Sequence, residues 1–153
     1  MEDINTLLET SSVVLVDEFR LPLVNRFYAD CKYKVKCGRN DRVYSISLNG
    51  NMIAAARLLP QADNSYLLRN LCVASQWRRR GVASYFLKKV LADLPPHDCY
   101  CYALFHLKLF YIGLGFQVFS ADQVPQDIGE VYRRHQQRNR DWILMGYIHG
   151  GGH

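Results

Sequence analysis

Between residues 43 and 94 the apolar positions change their period, and that switch limits the architecture more than any other feature of the chain. Residues 43–48 set Val43, Ser45 and Ser47 against Tyr44, Ile46 and Leu48, the alternation of a strand whose successive side chains face opposite ways. Asn49-Gly50-Asn51 marks a tight hairpin turn into a second strand over 52–59, and the turn-rich 61–65 leads to a third over 66–73. From Val82 the apolar residues recur at 82, 86, 90 and 94, with Leu87 and Leu91 beside them. That spacing predicts an amphipathic helix, which Pro95-Pro96 stops. An antiparallel meander feeding a helix is not a doubly wound parallel sheet.

The flanks extend the same mixture. Residues 17–31 space Phe19, Leu23, Phe27 and Tyr28 at helical intervals, with Pro22 tolerated in the first turn. Residues 32–42 form a basic connector with five positive charges, which reads as a mobile surface loop. A short apolar strand over 99–105, a short helix over 106–114 and a strand over 116–120 follow. A basic helix over 127–140 and a last strand over 142–148 complete the order. The expected fold class is mixed α/β (α+β), one domain over 1–148, with a frayed Gly-rich tail over 149–153.

A chain of 153 residues with 49% hydrophobic and 22% charged residues can build a core, which excludes intrinsic disorder and collagen-like or low-complexity chains. Five cysteines make an odd count, and the acidic start and the short apolar run at 13–16 do not read as an export signal. Free thiols in a reducing compartment, the cytoplasm, are the expectation. The cysteine spacings do not suit zinc, so no metal is expected. The longest apolar stretch, 100–116, is too short and too interrupted to span a bilayer. The net charge of +5 is uneven, because residues 77–153 hold ten basic and six acidic groups. A basic half fits a phosphate-bearing ligand, nucleic acid or an anionic surface.

The chemistry concentrates where the strand over 66–73 gives way to the helix. A helix start leaves several backbone N–H groups without intrahelical acceptors and carries about half a positive charge. Small residues at Gly81 and Ala83 let an oxyanion approach those groups, and Arg78, Arg79 and Arg80 add positive charge at the same spot. The arrangement suits a diphosphate.

Here the chain resembles a known family. Arg78-Arg79-Arg80-Gly81-Val82-Ala83 fits the Q/R-x-x-G-x-G/A signature of the GCN5-related N-acetyltransferases (GNAT), with the expected strand before it and helix after it. Downstream, Tyr111-Ile112-Gly113-Leu114-Gly115-Phe116 is similar to the family's Y-x-x-x-G-F segment. The resemblance implies a central mixed, mostly antiparallel sheet, splayed at two parallel strands and flanked by helices. It also implies acetyl-CoA as co-substrate and direct transfer of its acetyl group to a primary amine, with no metal.

By this resemblance, backbone amides from Arg78 through Val82 to Ala83 hold the pyrophosphate, and Ser84 adds a hydroxyl. Leu71, Cys72 and Val73 line the pantetheine arm. Tyr111 matches the tyrosine that protonates the departing thiolate; a phenol near pKa ~10 is within range of a thiol near ~8.5. The strand positions where many members carry a carboxylate base hold Arg69 and Asn70, which become candidates for contacting the acceptor. His106 is the titratable alternative for proton relay. Cys72 reads as a small buried hydrophobe rather than a nucleophile.

Two other readings share part of the pattern. The basic run over 132–140 and the connector over 32–42 would suit a nucleic-acid binder. A CoA-binding module without catalysis, acting as a sensor or partner, would share the motifs but not the turnover. The acceptor could be a small amine, an amino acid, a peptide N-terminus or a protein lysine. Both a monomer and a homodimer fit, since the loops that set these choices are not readable from one chain.

Overall fold

The computed structural model describes residues 4–149, so the tail expected over 149–153 lies outside the described residues apart from His149. Seven strands are described: β1 (Val13–Leu15), β2 (Arg42–Leu48), β3 (Asn51–Pro60), β4 (Tyr66–Val73), β5 (Cys99–Leu104), β6 (Gln117–Val118) and β7 (Trp142–Tyr147). The helices are α1 (Ile4–Glu9), α2 (Leu21–Asp30), α3 (Val82–Asp93), α4 (Lys108–Gly113) and α5 (Gln126–Gln137). The strands form one mixed sheet in the order β1-β2-β3-β4-β5-β7-β6. Pairs β1–β2, β2–β3, β5–β7 and β6–β7 are antiparallel, whereas β4 and β5 run parallel through Tyr66↔Cys99 and Leu67↔Tyr100. The mixed α/β class and the mostly antiparallel sheet with one parallel pair are as the sequence led us to expect.

By its contacts the chain divides into two compact units, one holding the described residues up to Pro60 with Leu68–Leu94, the other Gln61–Leu67 with the residues from Pro95 onward. In the first unit, Asn49 and Gly50 both take positive φ (52° and 81°), as a two-residue hairpin turn requires. The β2 alternation read from sequence is weaker in the structure, because Val43, Tyr44, Ser45 and Ile46 are all buried. Helices cover both faces. Val43 packs in one cluster with Leu21, Val24, Phe27 and Tyr28 of α2. On the opposite face, the Tyr44 hydroxyl donates to Asp93 at the end of α3 (2.7 Å). Phe86, Leu87 and Val90 of α3 are completely buried, each contributing about 1.5–3 kcal/mol.

The 32–42 connector is tied down rather than loose. The Cys37 N–H donates to Asn25 Oδ1 (2.8 Å). Asp41 Oδ2 accepts from the Gly38 N–H (2.8 Å) and from Arg57 (2.7 and 3.2 Å). Two elements had no clear sequence signal. Helix α1 buries one residue, Leu8, and β1 is three residues long with Val14 and Leu15 largely exposed.

In the second unit, Tyr102 on β5 donates to the Ile128 carbonyl (2.8 Å) and stacks on Tyr132, whose own hydroxyl donates to the Trp142 carbonyl (3.0 Å). These bonds fix α5 on β5 and β7. Gly129 lies in α5 where a Cβ would drive into the Ala121 carbonyl. Backbone cannot yield as a side chain can, so Gly129→Ala should lower stability by about 1–3 kcal/mol, outweighing alanine's better helix propensity. Urea denaturation of the two proteins measures it; equal midpoints would show that the 121–129 contact relaxes freely.

Candidate active site

Strand β4 is extended except at Asn70, whose φ of 58° is left-handed. A non-glycine residue holds that conformation inside a strand only when its neighbours secure it. Here Tyr28 Oη donates to the Asn70 carbonyl (2.8 Å), and Arg57 donates to Asn70 Oδ1 (3.0 Å). The Arg57–Asp41 pair is half-buried on both sides and completes the bracket. So the Asn70 side chain, one of the two candidates for contacting an acceptor, is engaged within the protein. The other, Arg69, is exposed. Neither Tyr28 nor Arg57 announces this role in the sequence, since the bonds join residues 42 and 13 positions apart.

Beyond Asn70, Leu71 and Val73 are half-buried while Cys72 is buried. Burial and a hydrogen bond with the Cys31 thiol push the Cys72 thiol up to about 12, so it stays protonated at neutral pH. A protonated, enclosed thiol is a poor nucleophile.

A short 3-10 turn, Ser75–Trp77, then carries the chain to the arginines. The Trp77 and Arg78 amides donate back to Ala74 and Ser75 (2.9 and 3.4 Å), and the next turn bond is Tyr85 N–H to Gly81 O (3.1 Å). Between them, none of the amides of Arg79, Arg80, Gly81, Val82, Ala83 or Ser84 makes a well-formed hydrogen bond to a described backbone carbonyl. Gly81 caps α3 with φ 81° and without a side-chain cap. An added Cβ there would meet nothing within 4 Å. A left-handed cap open to its surroundings, heading a run of unaccepted amides, is a fit for a diphosphate.

The arginines differ in use. Arg78 Nε donates to the Val73 carbonyl (3.0 Å), and the Arg80 guanidinium lies over the Trp77 ring at 4.8 Å. Arg79 takes a left-handed φ of 62° and is exposed.

In the second unit, Tyr111 is a buried residue of α4, its ring edge-on to Phe110 and Phe116 at 5.0 and 5.2 Å. Its carbonyl accepts from the Leu114 and Phe116 amides, which shape the Gly115 turn. His106 is exposed in the 3-10 turn Phe105–Leu107. Of the basic run over 132–140, Arg133 pairs with Asp122, and Arg140 lies over Trp142 while contacting His135 Nδ1 (3.0 Å). Among the described residues no group of three or more His, Cys, Asp or Glu could hold a metal ion.

The chain belongs to the GNAT acetyltransferase family: the acetyltransferase (GNAT) domain model matches residues 39–118, just over half of the chain. Three solved structures share the fold. N-acetylglutamate synthase from Neisseria gonorrhoeae, complexed with coenzyme A and N-acetyl-glutamate, superposes with TM-score 0.63 at 15% identity, covering 89% of this chain and 34% of that one. Arabidopsis thaliana Naa50, in complex with the bisubstrate analogue CoA-Ac-MVNAL, gives 0.61 at 14% identity over 90% and 97%. The ribosomal-protein-S18-alanine N-acetyltransferase from Escherichia coli gives 0.60 at 15% over 90% and 92%. This chain therefore spans about a third of the length of the gonococcal synthase. No curated protein matches it.

The environment of Cys72 makes a chemical prediction. Iodoacetamide at pH 8 should label half-buried Cys31 and spare Cys72, Cys99 and Cys101 in the folded protein, as read by peptide mass spectrometry. Labelling of Cys72 as fast as Cys31 would show that its surroundings are open.

Proposed function

We propose that the chain is an acetyl-CoA-dependent N-acetyltransferase that passes the acetyl group directly to a primary amine. The observation that carries this reading is the run of unaccepted amides from Arg79 to Ser84 behind the open left-handed cap at Gly81. Membership of the GNAT family supports it, as do the coenzyme A and the bisubstrate analogue in the similar folds.

When bound, acetyl-CoA supplies an activated acyl thioester. The amides of the turn hold its diphosphate, with the half-charge of α3 and the three arginines adding attraction. The Arg78 amide is already directed at Ser75, so the grip begins at Arg79. Leu71 and Val73, half-buried on β4, line the pantetheine arm, and Cys72 packs behind them without reacting. The Tyr111 hydroxyl gives its proton to the departing thiolate. No carboxylate occupies Arg69 or Asn70, so the incoming amine loses its proton through water or through His106, with exposed Arg69 free to meet a carbonyl or anionic part of the acceptor. The chain acts in the cytoplasm on this reading; no described helix is long and apolar enough to cross a membrane.

Thiol release from acetyl-CoA against a mixed amine panel tests the activity. Gly81→Glu should abolish coenzyme A binding in calorimetry by setting a carboxylate against the diphosphate, whereas Gly81→Ala carries the same backbone strain without the charge. Equal loss in both variants would point to strain instead. Tyr111→Phe should lower kcat about a hundredfold or more with little change in coenzyme A affinity, the usual range for a general acid. Unchanged turnover would remove Tyr111 from the chemistry. Coenzyme A binding without turnover of any amine would favour a binding module.

A further inference from the structure

A cleft of about 1060 Å³ opens within the first unit, between residues 23–32, the β2–β3 turn and residues 74–78. Its volume is at the upper end of small-molecule sites. Three cations line it, Arg26, Lys32 and Arg78, against a single carboxylate, Asp30. Elsewhere in this unit Arg20, Arg39, Arg42 and Arg57 have carboxylate partners, while exposed cations such as Lys34, Lys36, Arg69 and Lys88 have none. No described residue pairs with Arg26, Lys32 or Asp30 by an ion pair or a side-chain hydrogen bond. Positive charge is thus collected here without internal neutralisation. Beneath it lies an apolar floor: Phe27 is buried, and Met52 and Trp77 are half-buried.

Cations above an apolar and aromatic floor select one chemistry. We propose that this cleft is a second ligand site, taking a small organic anion in which a carboxylate or phosphate is attached to an apolar or aromatic body. Arg26 and Lys32 bind the anionic group, and Phe27, Met52 and Trp77 receive the body. The Ala74–Arg78 wall leads straight into the amides assigned above to the diphosphate. The site itself does not depend on the acetyltransferase reading.

The test follows the Trp77 indole N–H by nitrogen-15 NMR, assigned by its loss in Trp77→Phe. Phenyl phosphate, 3-phenylpropionate and inorganic phosphate are titrated separately. At least one aromatic anion should shift the signal saturably, about tenfold tighter than inorganic phosphate; which one separates a phosphate from a carboxylate ligand. Replacing both Arg26 and Lys32 by alanine should weaken binding about tenfold or more, as expected for lost charge-assisted bonds. Asp30→Asn should tighten it, a gain that misfolding cannot mimic. All three side chains are exposed, so the variants should melt with the wild type.

No saturable shift, equal affinity for inorganic phosphate, or variants that bind as the wild type does would each overturn the proposal. So would displacement of the probe by one equivalent of coenzyme A, which would make the cleft part of the cofactor's own site. If coenzyme A fails to bind at all while the aromatic anion still does, the acetyltransferase reading fails and the cleft stands.

Discussion

A helix cannot satisfy its own first amides, and the protein is arranged around the place where it leaves them open. Most helix starts recruit a side-chain oxygen. Helices α2, α4 and α5 start without one, and so does α3, whose cap Gly81 has no side chain to offer. The cost of leaving these donors without a protein acceptor is small while water reaches them, and such a turn suits an anion. Strand β4 delivers the chain to this point, and its own path depends on Tyr28 and Arg57 holding Asn70 in a left-handed conformation. The strained strand and the open helix start therefore lie within one stretch of about fifteen residues, Asn70 to Ser84.

Much of the surrounding fold was legible. The strand over 66–73, the hairpin at Asn49-Gly50 and the helix after Gly81 all follow from local pattern, because the turn residues and the apolar period act over a few positions. The arginine turn was legible for the same reason. What escaped was non-local. Nothing in the letters around Asn70 says that an arginine from β3 and a tyrosine from α2 will close on it. Nor does the polar Ser45 suggest that both faces of β2 are covered. The 32–42 connector read as loose from its charge, yet Asp41 binds it to Arg57, a partner sixteen residues away on another strand.

The thiols show how burial divides one residue type into different chemistries. Cys72 lies in β4, where desolvation keeps its proton in place. Cys101 is pushed well above the ordinary thiol range by the same cause. Burial alone thus keeps both thiols protonated and poorly nucleophilic, without any dedicated residue.

Helix α3 also ends unusually. Asp93 sits at its C-terminus, where the dipole disfavours a negative charge, and is held there by Tyr44 and Arg42 from β2. The rod is thus bolted to the sheet at its foot and left wanting at its head. An anion held at the head would bind the folded chain and not the unfolded one. By mass action the loaded protein would resist unfolding and proteolysis better than the empty one.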